Sequence, residues 1–187
     1  MIEFENYINK ISVLDKQATG EIIKYTSIEQ FQKGDYILKA GKVCHHCYFI
    51  KSGLVKLFFR KEEKEFIMTF FKENMMFNEI SSYVTQQPSK YMIAALENTI
   101  VYSLHKNHID LLSKTFHSIE TLFSKLYAFA TLGMMKRVTE MLEENATERY
   151  NIFISESGEL LQRISLGDLS NYLGISQVSL SRIRAKR

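Results

Sequence analysis

Two groups of residues have types and spacing suited to chemistry. The first is Cys44-His45-His46-Cys47, four consecutive side chains able to ligate a metal. A Cys-x-x-Cys pair can chelate zinc and a histidine can complete such a site. The tetrapeptide runs into Tyr48-Phe49-Ile50, however, which reads as a strand, and neighbours on a strand point to opposite faces. His45 and His46 would then not share one metal, and the chain has no further cysteine. Cys47 is expected to be a small core residue, Cys44 to sit in a turn and the histidines to be solvated, with no metal bound. The second group is Gln177, Val178, Ser181 and Arg182, one turn apart on a short helical pattern near the end of the sequence. Glutamine can pair with adenine, arginine with guanine, and valine can meet a thymine methyl in the DNA major groove.

The elements that position this second group are legible around it. Ser165 followed by Asp168 is a capping-box start. Leu166, Leu169 and Leu173 share a helical face. Gly174 can take the left-handed conformation that ends a helix, and Ser176 can cap the next one. Leu180 and Ile183 point back, and Ser170 is small where two helices would cross. Together these predict a helix-turn-helix. Ser165, Ser176, Ser179, Arg184, Lys186 and Arg187 are candidates for phosphate contacts, which position a protein without specifying sequence. With the sequence ending at Arg187, no strand is expected after the second helix.

Charge agrees with that reading. The chain of 187 residues has net charge +3. Arg163, Arg182, Arg184, Lys186 and Arg187 against the lone acid Asp168 place all of that excess after residue 162, so a polyanion should meet the tail. The sequence is 45% hydrophobic, with one proline and eight glycines, which argues against low complexity. The opening Met-Ile-Glu-Phe-Glu-Asn has no basic flank or apolar core, and the run Tyr127–Met135 is too short to span a bilayer. A cytoplasmic protein without membrane contact is expected. No nucleophile–base pair and no paired catalytic carboxylates are visible, so it is not expected to be an enzyme.

Earlier in the chain, residues 1 to about 27 read as helical, with a break at Gly20. From Phe31 to Leu104, short aromatic and β-branched runs alternate with turns, the texture of a sandwich or barrel. Lys51-Ser-Gly53 reads as a hairpin turn between Tyr48–Ile50 and Leu54–Phe59. The charged stretch Arg60–Glu65 reads as a loop before the strand Phe66–Phe71. Phe77–Tyr91 is polar and holds Pro88, and Ala94–Leu104 supplies more strand. From His117 to Glu144 the period becomes helical. Ile119, Leu122, Leu126, Phe129 and Gly133, then Val138, Met141 and Leu142, form a stripe longer than the β-region could cover. A dimer seam is expected there, with Gly133 letting two helices approach. Ala146–Ile154 reads as a further helix, ending at the loop Ser155–Gly158.

The order of these elements, with Phe31-x-Lys-Gly-Asp35, Tyr48-Phe-Ile-Lys-Ser-Gly-Leu-Val55, Ala95-Leu-Glu-Asn-Thr99, Ala146-Thr-Glu-Arg-Tyr150 and Tyr172-Leu-Gly-Ile-Ser176 through Arg184, resembles the CRP/FNR-type transcription regulators. The resemblance implies an α+β chain: an antiparallel, cyclic-nucleotide-binding-like β-roll (residues 1–115), a dimerisation helix (116–145) and a helix-turn-helix, winged-helix-like DNA-binding domain (146–187). It implies a homodimer on a palindromic double-stranded DNA site, and RNA polymerase is a further candidate partner. In cyclic-AMP-binding relatives a glutamate takes the ribose hydroxyl and an arginine the phosphate. Here Glu79 matches the first, but the arginine position falls on or beside Ser89, with Lys90 next, and Met134 and Met135 stand near the place of polar base contacts. Those five are the candidate effector residues. The departures point away from cyclic AMP, since a buried phosphate needs a positive partner. No cofactor is expected, and the pocket leaves room for another small molecule. Many relatives carry an acid where Val178 stands, so the usual family site need not be read. Iron–sulfur binding would want four thiolates, and this chain has two. The competing readings are a small-molecule sensor acting through protein contacts with a degenerate tail, and a metalloenzyme resting on the Cys/His cluster alone.

Overall fold

The computed structural model describes residues 1–185. Two short helices open the chain, α1 (Ile2–Ile11) and α2 (Lys16–Lys24). Gly20 lies inside α2 and does not break it. The break comes at residues 12–15, where Asp15 accepts the Ala18 N–H at 2.8 Å and caps the second helix.

Eight strands follow: β1 (Thr26–Phe31), β2 (Tyr36–Leu38), β3 (His46–Ser52), β4 (Val55–Lys61), β5 (Lys64–Phe71), β6 (Met76–Phe77), β7 (Met92–Ala95) and β8 (Thr99–His105). They form two four-stranded antiparallel sheets, ordered β1-β8-β3-β6 and β2-β7-β4-β5. β3 and β4 therefore lie in different sheets, and Lys51-Ser-Gly53 is a sheet-to-sheet crossing, not a hairpin. Gly53 has φ 111°, and a Cβ there would lie 2.3 Å from the Thr99 hydroxyl, so only glycine fits this crossing. The real hairpin lies in the stretch read as a loop. β4 and β5 pair from Val55↔Phe71 to Lys61↔Lys64 across the two-residue turn Glu62-Glu63. Glu62 takes φ 56° there without glycine. The polar segment after β6 holds α3 (Ile80–Thr85).

Beyond the roll come α4 (Lys106–Thr115), α5 (His117–Glu143), α6 (Ala146–Ser157), α7 (Leu166–Leu173) and α8 (Gln177–Ala185). α6 continues three residues past the expected end, behind a capping box of Asn145 and Glu148. A 3-10 turn, Gly158–Gln162, joins α6 to α7.

The apolar residues form two cores. The main one lies inside the roll and under α1, α2, α4 and the first turns of α5. The second lies outside the β4–β5 sheet, where Leu54, Phe58, Ile67, Phe70 and Ala94 meet Tyr150, Phe153, Leu160, Leu169, Leu173 and Leu180. Residues three apart on a strand normally face opposite ways, yet Ile67 and Phe70 share this core. The register shows why: Leu57↔Thr69 is followed by Phe58↔Ile67, leaving Met68 as a bulge that returns Ile67 to the outer face. One extra residue thus builds the platform on which the C-terminal helices rest.

Candidate nucleic-acid interface

The C-terminal helices are fixed by short-range chemistry. Ser165 Oγ accepts the Asp168 N–H at 2.9 Å and caps α7. Asp168 returns a contact to the Ser165 N–H at 3.4 Å, completing the box. Gly174 ends α7 with φ 70°, and Ser176 Oγ accepts the Ser179 N–H at 3.1 Å at the start of α8. Leu169, Leu173 and Leu180 close the interior, and Ser170 is buried at the crossing. What remains outside is the other face of α8. Gln177, Val178, Ser181, Arg182 and Arg184 are exposed, Val178 at 61%. No described residue forms an ion pair with Arg182 or Arg184. Gln177 extends partly backwards, its Nε2 lying 3.2 Å from where a Cβ on Gly167 would stand. Lys186 and Arg187 lie outside the described residues.

Arg163 is not available to a polyanion, contrary to its place in the basic tail. Its guanidinium donates to Glu73 at 2.8 and 2.9 Å and to Glu97 at 2.6 and 3.3 Å. Partial burial opposes the charge on Glu73, but Arg163 outweighs it and holds the carboxyl at about 2. Lys56, on β4, donates to Asp168 at 2.8 Å and also pairs with Glu65. Burial would push Lys56 down and Asp168 up, yet their mutual hydrogen bond shifts each the other way, so both stay charged. Lys72 pairs with Glu159. Phe70 stacks toward Tyr172 and Phe153 at 5.3 and 6.4 Å. Sequence reasoning missed this dock, because its ionic partners lie between 66 and 112 residues apart and carry no local signal.

α5 also reaches the turn. Arg137 stacks on Tyr172 at 3.9 Å and donates to its carbonyl. The Met141 methyl lies 3.1 Å from where a Cβ on Gly174 would stand. Arg149 of α6 donates to the Leu173 carbonyl at 3.1 Å.

The expected dimer seam needs correction. Ile119 and Leu122 are fully buried in the chain's own core, and Leu126 packs against it. Those first turns lean on the roll, so they cannot face a partner. Phe129 and Gly133 are exposed, and so is every residue from 128 to 136. Leu132, Met135 and Leu142 recur at three and seven residues, on the side of α5 away from Ile119 and Leu122. They are 61%, 63% and 80% exposed.

The candidate effector residues are not gathered round a cavity. Both Glu79 oxygens cap α3, accepting the Ser81 and Ser82 N–H groups at 3.0 Å each. Ser89 is buried, with its Oγ accepting the Tyr91 N–H at 2.9 Å. Lys90 is exposed and lies 5.1 Å over the Tyr91 ring. Met134 and Met135 are exposed on α5. A cleft of about 400 Å³ lies between α3, α4 and α5, and another of about 230 Å³ lies on the β4–β5 sheet; neither is lined by any of the five.

Cys44 and Cys47 are both buried and unbonded to each other. Among the described residues no cluster of histidine, cysteine or acid could hold a metal. Burial raises both thiols, and each is raised further by a neighbouring acidic group. The histidines depart from expectation: His45 is exposed, but His46 is half-buried against His105.

A roll of this topology, with a short helix after β6, defines a class, and residues 28–115 match the family model described as the cyclic nucleotide-binding domain. The Electron transport regulator A of Shewanella oneidensis is 24% identical over 165 residues, covering 81% of this chain and 65% of the relative. The Fumarate and nitrate reduction regulatory protein of Yersinia pestis is 28% identical over 166 residues, with the same coverage. The chain thus spans 65% of the length of these curated relatives. Among solved structures, FixK2 from Bradyrhizobium japonicum superposes with TM-score 0.76 at 15% identity, covering 86% of this chain and 83% of that one. A structure from Eubacterium rectale, described as a regulator of the crp/fnr family, gives 0.73 at 16% identity, covering 91% and 82%. Residues 28–115 therefore carry the cyclic nucleotide-binding domain, and the chain as a whole has the fold of these CRP/FNR-type structures.

Proposed function

We propose that this protein is a homodimeric, sequence-specific DNA-binding transcription regulator, and that it acts in the cytoplasm by binding, not by catalysis. The observation that carries the reading is α8. It is capped by Ser176, entered through Gly174 and anchored by Leu180, and it leaves Val178, Ser181 and Arg182 exposed on one face. An anchored helix with a polar, positively charged free face is what major-groove readout requires. The names of the relatives, which are regulators, support the same reading.

The division into a roll (1–115), a dimerisation helix (116–145) and a DNA-binding unit (146–187) belongs to this proposal. The second copy would pack on the exposed side of α5, through Phe129, Leu132, Met135 and Leu142, with Gly133 permitting close approach. A single helix exposing that much apolar surface on every side is unstable in water without a partner. Two α8 helices would then meet half-sites about one DNA turn apart.

The effector is not a cyclic nucleotide in this reading. Glu79 is occupied as a helix cap and Ser89 supplies no positive charge.

The test is selection of duplexes from random DNA by the purified protein. A palindromic site is expected, with binding that falls steeply as salt rises. Arg182→Ala is expected to cost about 1–3 kcal/mol at one base position and relax preference there. Failure to enrich any duplex, or salt-insensitive binding, would sink the proposal.

A further inference from the structure

Four of the chain's five histidines meet at one edge of the roll. His45 and His46 lead into β3, His105 ends β8, and His108 lies in the first turn of α4. The β3–β8 register sets His46 opposite His105. The His105 ring centre lies 4.8 Å from His46, 5.8 Å from His45 and 6.1 Å from His108. Such a grouping is not needed for DNA reading, and no described metal cluster includes it.

The geometry of His105 favours its neutral form. His105 Nδ1 accepts the Asn107 N–H at 3.1 Å and is the N-cap of α4. A second proton on that ring would occupy this nitrogen and set a donor against a donor. It would also place a positive charge at the positive end of a helix. His108 Nδ1 is buried with no partner among the described residues, and its ring lies 4.4 Å from Tyr25. His45 Nδ1 lies 2.8 Å from Gln86 Oε1. The Gln86 amide nitrogen donates to the Cys44 and Tyr83 carbonyls, which fixes its oxygen as the acceptor.

The surrounding charges do little to compensate. Glu29 on β1 faces His46 and favours its charge, while burial and then His105 disfavour it, and the net shift of His46 is downward. His105 is lowered by burial, then by His45 and His108. Tyr48 on β3 stands 5.8 Å from His46 and is neutral. Lys106, beside His105, is bound to Asp110 at 2.8 Å. Lys24 lies 5.4 Å over Tyr25 and pairs with Glu21 at 3.4 Å.

We propose that this histidine edge forms an acid-sensitive latch, which holds the start of α4 on the end of β8 while His46 and His105 are neutral and releases it as they protonate. α4 contributes Ile109 and Leu112 to the main core, beside Ile119, Leu122 and Phe123 of α5. Release of α4 would therefore loosen the support of α5. The proposal stands on the roll alone and does not depend on DNA binding.

The sign follows from linkage. A base whose folded form is harder to protonate than its unfolded form contributes full stability above the ordinary imidazole range. That contribution drains away as pH falls below it, because the unfolded chain takes the proton first.

The experiment compares the full chain with the double variant His46→Gln/His105→Asn, whose asparagine side chain keeps an acceptor for the α4 cap. Thermal unfolding and hydrogen exchange of α4 are followed from about pH 7.5 to about pH 5, corrected for intrinsic exchange. The native chain should lose stability with a slope of up to about tenfold per pH unit for each extra proton. The double variant should keep most of its stability, and α4 should open before β8 only in the native chain. Equal slopes in the two proteins would overturn the proposal. Should the variant not fold, NMR titration of the native imidazoles decides. Coupled, depressed titrations of His46 and His105 support the latch, and independent titrations in the ordinary range overturn it.

Discussion

Arg163→Met removes the charge that joins the C-terminal helices to the roll while keeping most of the side-chain length. Arg163 makes four contacts of 2.6–3.3 Å to Glu73 and Glu97, with all three side chains a quarter to a third exposed. A surface pair contributes under about 1 kcal/mol, and a hydrogen bond to a charged group about 1.5–3 kcal/mol when well buried. Partial exposure puts this fork between those limits, and its loss also leaves Glu73 and Glu97 facing each other unpaired. The expected cost is about 1–2 kcal/mol, roughly a five- to thirtyfold larger undocked population. The second core and the Lys56–Asp168 pair remain, so the unit should loosen and stay folded. Hydrogen exchange read by peptide is the assay: α7 and α8 should exchange faster while β3 and β8 do not change. The pH arm is independent. Glu73 is held at about 2 in the folded chain, below the ordinary carboxylate value of about 4.3. The unfolded or undocked state therefore binds more protons between those values. The docking contribution is present above the upper value and is lost as pH falls toward the lower one. In Arg163→Met that pH dependence should shrink. Exchange that accelerates equally in all four elements, or not at all, would refute the assignment of Arg163 as a clamp.

Three further outcomes follow. Gly174→Val forces a branched residue into φ 70° and its Cβ against the Met141 methyl; it should cost about 2 kcal/mol or more, read as a lower Tm with α7 and α8 destabilised first. Leu132→Glu puts a charge on the exposed side of α5, where the side chain touches little of its own chain. It should convert dimer to monomer in analytical ultracentrifugation without changing the circular dichroism, and a dimer that persists would place the seam elsewhere. Cys47 is buried and its thiol is pushed far up by burial, so it should resist alkylation in the native protein at neutral pH and react once unfolded; rapid native labelling would reopen a redox role for it.

What could be read from the sequence was local. The Ser165–Asp168 box, the Gly174 stop and the Ser176 cap each act over about three residues, so their signals are complete within a short window. The turn between β4 and β5 was missed because Glu62-Glu63 has no glycine or asparagine, and a charged pair there looks like any solvated loop. Lys51-Ser-Gly53 misled in the opposite way. Its glycine reported a positive φ and a close approach to Thr99, but a glycine signal says nothing about which sheet the chain enters next. The α5 stripe was correctly apolar from Ile119 onward, yet spacing alone cannot say what covers it. The roll takes Ile119 and Leu122, and the opposite side is left uncovered from residue 128. Arg163, counted as a free base, was claimed by acids 66 and 90 residues away.

The effector question narrows on the same kind of accounting. The Glu79 carboxylate caps α3 through the Ser81 and Ser82 N–H groups, so a ligand that drew it away would uncap that helix. A cap of this kind stabilises a helix by about 1 kcal/mol. Ser82 is also buried, so its freed N–H would be left without ready access to water, adding to that cost. In a nucleotide site the return comes from a guanidinium on the phosphate. Here Ser89 is already engaged with the Tyr91 N–H, and Lys90 lies over the Tyr91 ring at the surface. Glu79 and Ser89 are thus each engaged by the chain's own backbone, and among the described residues no guanidinium stands beside them. The proposed histidine latch would reach α5 through α4 and needs none of these residues, since Ile109 and Leu112 of α4 pack beside Ile119, Leu122 and Phe123.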